Sequence, residues 1–364
     1  MTLRGLGLLG ALSLAACHRR PQVPPPRPAL LLLADGSLHG QIEDCGCHLH
    51  ASGGMARRAT AIARLGQGKV ALALDSGDAL FPPGAGPVTA ADRRRADLLA
   101  AGFEKMGYAA LAVGELDLRD GLPALQARRA AFHLPYVATN WVDGAGKHPF
   151  PTSRLVDTPL GAVAVVAVSD AAGVFAGLHA EDPAASLRAE VGRVKAQHPV
   201  AVVALVDAPT EALPALLQGS GVDVALVGHL GRSGMLGRAP PAYGTGEKGR
   251  TLDAITLELG SGPLVDGNAA SDARAEVQIL DKLHATLVQR DAKATAPQAH
   301  AAMRAQIALN RKRRAQAQAR ADARPQGRTL SWRLVRLDET YPPDPALASE
   351  VAAEVAADGH APGR

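Results

Sequence analysis

The sequence predicts an α/β protein with a largely parallel sheet, on three observations. Short apolar runs recur through residues 29–260, stretches of helical length separate several of them, and acidic or histidine residues stand at the carboxyl ends of the runs. Strand, helix and strand in succession argue for parallel strands joined by crossover helices. With 364 residues, 47% of them hydrophobic, the chain can bury one large core.

Taken in order, residues 1–16 hold a lone Arg4, an apolar run over 6–14 and small residues ahead of Cys17. The run is too short to span a bilayer and reads as part of a signal peptide. Residues 17–28, with consecutive prolines at 24–26, read as an extended tether. The runs at 30–34, 70–74, 109–113, 163–168, 200–206 and 222–227 read as buried strands. Between them, 55–65, 92–106, 122–132 and 185–197 read as helices, and 251–259 alternates like a late strand. Beyond 260 the composition shifts. Residues 273–324 are helical, rich in Ala, Arg and Gln and broken near Pro297, ahead of a strand at 330–337 and a last helix at 345–357.

The net charge of +4 is mild, and aromatic residues make up only 3% of the chain. That is too few to stack the bases of single-stranded nucleic acid, so nucleic-acid binding finds no support. The basic run 304–324, with Arg311-Lys-Arg-Arg314, reads as a solvated helix face, with anionic lipid headgroups as the alternative. Arg57 and Arg58 are expected at the surface.

The strand ends carry the chemistry. They read Asp35-Gly-Ser-Leu-His39, Asp75-Ser-Gly-Asp78, Val113-Gly-Glu-Leu-Asp117 and Val227-Gly-His229-Leu-Gly231. Carboxylates and imidazoles gathered at the carboxyl ends of successive strands suit a metal site in the crevice there.

This order resembles the metallophosphoesterases, specifically the periplasmic 5′-nucleotidase branch. Gly53-Gly-Met-Ala-Arg-Arg58, Ala138-Thr-Asn140 and Gly246-Glu-Lys-Gly-Arg-Thr-Leu252 extend the likeness over residues 29–260. The resemblance implies a four-layer α-β-β-α sandwich with a short helical C-terminal addition over 261–364. It also implies a centre of two divalent metals that activate water and clamp phosphate oxygens. His39, Asp78 and His229 stand at ligand positions, and Glu115 takes the place of an Asn. Ser37 replaces the first Asp, Leu116 a phosphate-assisting His and Gly231 the last His, while Asp207 stands near a further His. These departures predict that the dinuclear centre is degenerate. The alternative is a phosphoric ester hydrolase with one divalent ion, Zn, Mn or Mg, on His39, Asp78, Glu115 and His229, with Asp207 or Asp35 as further oxygen donors.

The loop after the first strand carries Cys45-Gly46-Cys47, and the third Cys of the chain is Cys17. The loop resembles that of a sub-branch of nucleotidase-like bacterial proteins, some with selenocysteine at the first position. The resemblance implies thiol redox chemistry, with Cys45 attacking and Cys47 resolving. Gly46 permits the backbone of a tight ring, and strained disulfides are the easily reduced ones. Zinc or copper on Cys45, Cys47, His48, His50 and His39 is a second reading, and a structural staple a third. A c-type haem requires two residues between its Cys and is discounted. Cys17 follows Ala-Ala and resembles the lipidated Cys of a bacterial lipobox. The expectation is an exported lipoprotein of the bacterial cell envelope, on the periplasmic side or the outer membrane. Its expected partners are the membrane, through the lipid, and a periplasmic redox partner or small-molecule substrate.

Overall fold

The structure, a computed structural model, describes residues 27–45, 51–229, 231–323 and 327–358, with the Cys45 side chain outside that set. The expectations for the leader, Cys17, Cys47, His48 and His50 also fall outside it.

The elements follow in chain order as β1 (Ala29–Asp35), β2 (Asp44–Cys45), β3 (Ser52–Gly53), α1 (Met55–Gly66), β4 (Val70–Asp75), α2 (Ala90–Met106), β5 (Tyr108–Ala112) and α3 (Leu122–Ala131). Next come β6 (Tyr136–Val137), β7 (Trp141–Asp143), β8 (Ser153–Val156), β9 (Val163–Ser169), β10 (Val174–Phe175), β11 (Leu178–Ala180), α4 (Pro183–Lys195) and β12 (Ala201–Asp207). The chain continues through α5 (Leu213–Leu217), β13 (Val224–Gly228), β14 (Ser233–Arg238), β15 (Pro241–Thr245), β16 (Thr251–Glu258) and β17 (Leu264–Asp266). It ends with α6 (Ala269–Lys293), α7 (Pro297–Asp322), β18 (Arg328–Arg336) and α8 (Pro345–Ala357).

Local sequence sets the helix boundaries. The Thr89 hydroxyl accepts the Asp92 amide at 3.1 Å while the Asp92 carboxylate accepts the Thr89 amide at 2.9 Å, starting α2. Gly107, left-handed at φ 67°, stops it. Asp182 and Asp344 cap α4 and α8 by accepting amides of their first turns.

Two sheets face each other, in the orders β17-β18-β16-β1-β4-β5-β6 and β14-β15-β13-β12-β9-β8. The alternation of each strand divides its side chains between layers. From β1, Leu30, Leu32 and Ala34 enter the space between the sheets, while Leu31 and Leu33 pack toward α1. From β12, Val203 and Leu205 meet them, while Val202, Ala204 and Val206 lie under α4 and α5. The result is the four-layer α-β-β-α sandwich. Parallel register aligns the strand ends at one edge: Asp35 pairs with Asp75, and Asp207 with both Ser169 and Gly228.

Residues beyond 260 add both strands and helices. β18 extends the first sheet beside β16, and Trp332 stacks on Tyr243 with ring centroids 6.0 Å apart and donates to Asp253 at 2.6 Å. α8 packs on α1 and α2, whereas α6 and α7 form a hairpin that packs chiefly on itself. No described helix is long and apolar enough to cross a membrane.

The two arginines of α1 depart from their expected surface positions. Arg57 donates to the carbonyls of Asp338 and Tyr341 at 3.2 and 3.1 Å, tying the tail to α1. Arg58 is wholly buried, its Nε 3.1 Å from the Asp35 carboxylate. Burial of the cation follows from that buried partner, since a charge leaves water only where another offsets it.

Leu32 is fully buried between the sheets. Leu32→Ala is expected to lower unfolding free energy by about 2–5 kcal/mol, read from urea midpoints. A loss below about 1 kcal/mol would contradict this packing.

Candidate metal centre

The loops after β1 and β4 are zipped together by their backbones. Ser37, His39 and Gly40 amides donate to the carbonyls of Gly77, Asp78 and Ala79 at 2.7, 3.1 and 2.8 Å. The buried carboxylate of Asp117 then gathers the surrounding amides. It accepts from Asp78, Ala79, Leu80 and Gly114, all between 2.9 and 3.0 Å. Asp78 returns the contact by accepting the Leu116 amide at 2.8 Å. Close approach makes Gly114 necessary: a Cβ there would lie 2.2 Å from the Asp78 carboxylate and 2.5 Å from its amide.

Three ligand groups converge at this edge. One ligand atom from each of Asp78, Asp207 and His229 lies within 4.8 Å of the other two. The His229 Nδ1 is 3.4 Å from Asp207 Oδ1 and 3.7 Å from Asp78 Oδ2. Ser37 fixes His229 from below, its hydroxyl accepting the His229 amide at 2.8 Å. Ser169 steadies Asp207 by donating to Oδ2 at 2.9 Å, while Asp207 Oδ1 is buried beside the His229 Nδ1.

The electrostatics express a shortage of positive charge. Burial, reinforced by Asp207, pushes the Asp78 carboxyl up to about 6. Asp207 is raised by burial as well, against the pull of His229. Hydrogen bonding to Asp207 and then Asp78 holds His229 up to about 10, so its imidazolium supplies the cation between them. Burial also raises Asp117, to about 7, with Asp78 adding to the effect. Glu115 is half-buried beside the cluster and raised by burial and by Asp78.

Of the four side chains expected to hold a metal, Asp78 and His229 lie in the three-residue cluster, and Glu115 borders it. His39 lies beyond His229, toward Glu247 and Lys248; burial lowers its pKa, and its Nδ1 has no hydrogen-bond partner. The position of Gly231 faces Glu247, whose Oε2 is 3.1 Å from where a Cβ would stand. Leu116 contributes its amide rather than a side chain. Asp35 is not available as a further donor, because it faces Arg58 and accepts the Tyr108 hydroxyl at 2.6 Å. Asp117, named in the strand-end motif but given no role there, is the organiser of the edge. At the cysteine loop, Asp44 pairs with Gly53 and Cys45 with Ser52 in a short antiparallel ladder.

The fold is that of the 5′-nucleotidase and calcineurin-like phosphoesterases. Among solved structures, the chain is similar to the sulfate thiohydrolase SoxB of Thermus thermophilus, at 16% identity and a TM-score of 0.63 over 93% of this chain and 62% of that one. It is similar to a 5′-nucleotidase precursor from the same organism, at 14% identity and 0.59 over 91% and 59%. A third likeness is to the calcineurin-like phosphoesterase YfkN of Bacillus subtilis, at 17% and 0.52 over 65% and 87%. The chain thus spans about three-fifths of the length of the first two. No protein-family model and no curated protein matches it.

The raised pKa values fix a pH dependence. A group whose folded pKa lies above its unfolded one contributes stability that is complete below the unfolded value and lost as pH climbs through the folded value. Asp78 and Asp117 move from 3.8 to about 6 and about 7, and His229 from 6.5 to about 10. The metal-free protein is therefore expected to lose stability steadily from about pH 4 to about pH 10. Calorimetric melting in chelator checks this; a melting temperature that rises through that range would contradict it.

Proposed function

We propose that the chain is an exported, lipid-anchored hydrolase of phosphoric esters that works with a single divalent cation held by Asp78, Asp207 and His229. The convergence of those three ligand atoms within 4.8 Å carries the reading. The residues fit a cation on this structure's own evidence. Asp207 Oδ1 is buried and approached by the His229 Nδ1 at a long 3.4 Å, and the two buried carboxylates are offset by that imidazolium rather than by an arginine. The donor set is rich in carboxylate oxygen, with Glu115 alongside as a fourth group, which suits Mg or Mn better than a softer ion. Bound there, the ion would supply Lewis acidity and a source of hydroxide near neutral pH.

The chain's own residues do the rest. Asp117 holds the Asp78 loop so that the ligands do not reorganise, and Ser37 and Ser169 orient His229 and Asp207. His39, kept neutral by burial and with Nδ1 unpartnered, is positioned to take or return a proton at the crevice. Ser37 and Gly231 offer no second set of ligands, which supports one cation rather than two. The neighbours named as a sulfate thiohydrolase and a 5′-nucleotidase support hydrolysis as the reaction class.

The thiol pair is a second reading, favoured by the place of Cys45 on the segment that follows β1. Glu43, next to the ladder that holds Cys45, pairs at 3.7 Å with Arg95. Arg95 and His39 both line a cavity of about 380 Å³. We assign Cys45 and Cys47 a reversible disulfide, with Cys45 attacking and Cys47 resolving.

Titration with Mn²⁺ is expected to raise the melting temperature and to release about one proton per ion near neutral pH, because the ligand imidazole must be neutral. Ser169→Ala should weaken the ion about 10–100-fold and Asp207→Asn at least as much. Hydrolysis of a p-nitrophenyl phosphate ester should depend on the ion and vanish in Asp207→Asn. Unaltered metal affinity in Asp207→Asn would overturn the assignment. For the thiols, Cys47→Ser is expected to trap a mixed disulfide on Cys45, and a potential below about −300 mV would mark a structural staple instead.

A further inference from the structure

The α6–α7 hairpin takes no part in the site, and its surface is unlike the rest of the chain. Residues 269–323 hold ten Lys and Arg against five Asp and Glu, a net charge of +5 in a chain whose total is +4. The remainder of the molecule therefore carries −1, and all of the excess positive charge lies on this arm. Arg304, Arg311, Lys312 and Arg313 are exposed and make no ion pair among the described residues.

The same arm exposes large apolar side chains: Ile279 at 66%, Leu309 at 51% and Leu283 at 44%. Two ion pairs across the hairpin show which flanks meet, Arg320 with Glu276 and Arg314 with Asp281, both at 2.5 Å. Helical spacing places Ile279 and Leu283 on the Glu276 flank of α6, and Leu309 and Arg313 on the Arg320 flank of α7. The apolar side chains and Arg313 therefore share one face, with Lys312 at its border.

We infer that this face docks on an anionic lipid surface, with the leucine and isoleucine side chains entering the headgroup boundary and the cations meeting lipid phosphates. Two observations favour lipid over a second copy of the chain. The charge complements an anionic bilayer, whereas two copies would bring like-charged arms together. The undescribed N-terminal segment also ends at the hairpin's base: the Arg27 guanidinium donates to the carbonyl of Gly327, just past α7. Arg27 is the tenth residue after Cys17, a reach of at most about 36 Å. α7, with 26 residues, is about 39 Å long. A lipid on Cys17 would thus hold the arm within its own length of the membrane. The choice of occupant rests on the envelope location proposed above, but the surface itself does not require the lipid anchor.

The test uses the chain from His18, which keeps every described residue and lacks both the apolar leader and Cys17. Co-sedimentation is measured with vesicles of phosphatidylglycerol and phosphatidylethanolamine, and with phosphatidylcholine alone. Binding is expected only to the anionic vesicles and should fall at high salt. Changing Lys312 and Arg313 to Glu should weaken it by about fivefold or more for each charge, whereas the same change at Arg304 and Arg311, which helical spacing puts on the opposite side of α7, should weaken it less. Ile279→Ser with Leu283→Ser and Leu309→Ser should weaken it further, with circular dichroism unchanged. Equal binding to neutral vesicles, or none to anionic ones, would overturn the inference. So would a dimer on gel filtration that the serine variant dissociates, which would assign the face to a second copy. Because the probe is unlipidated, a failure of Cys17 lipidation in cells leaves this result unaffected.

Discussion

The buried carboxylate of Asp117 is the constraint on which the functional edge depends. By accepting four backbone amides it fixes the turn after β4, and that turn presents Asp78 and receives the loop after β1. The backbone there is strained. Ser37, His39, Asp78 and His229 all have positive φ, from 50° to 68°, in a region where residues other than glycine cost on the order of 1–3 kcal/mol each. Such conformations persist only where the surroundings over-determine them. Here the amides on Asp117, the ladder between the two loops and the Ser37 hydroxyl under His229 do so. Strain gathered at one edge, around three convergent ligand groups, is the pattern of a preorganised site.

Two groups of buried acids behave differently, and the difference bears on where a cation would sit. Asp35 faces the internal guanidinium of Arg58 and the hydroxyl of Tyr108, so its charge is offset within the protein. Asp78 and Asp207 have no arginine. They share the imidazolium of His229, at 3.7 Å from Asp78 and a long 3.4 Å from Asp207. A carboxylate pair that must borrow a proton from its own ligand is poised to exchange that proton for a metal ion. On the other side of His229, Ser37 lends its hydroxyl to the His229 amide and Glu247 stands against the Cα of Gly231.

Much of the fold was legible because its signals are local. Apolar runs gave the buried strands of both sheets, and Pro297 gave the break between α6 and α7. Strand-end chemistry placed Asp78 and His229 correctly at one edge. What was not legible depends on sheet order and on inward-pointing charge. Asp207 was named only beside Asp35 as a further donor, because its meeting with His229 depends on β12 and β13 being parallel neighbours in register. Arg58 looked like one of two surface arginines, and only the buried Asp35 explains why it turns inward. Asp117 follows Gly114 by three residues and reads as a polar loop residue until its four amide partners are seen. Ile279, Leu283 and Leu309 drew no reading from sequence; they are exposed on a hairpin that packs chiefly on itself.

Electron paramagnetic resonance of the Mn²⁺-loaded protein, paired with metal analysis, tests the central claim most directly. The expected result is one ion per chain with the signal of an isolated Mn²⁺, lost when Asp207 is replaced by Asn and retained when His39 is replaced by Ala. Two exchange-coupled ions, as in centres with metals about 3.5–4 Å apart, or a signal that needs His39 but not Asp207, would contradict it.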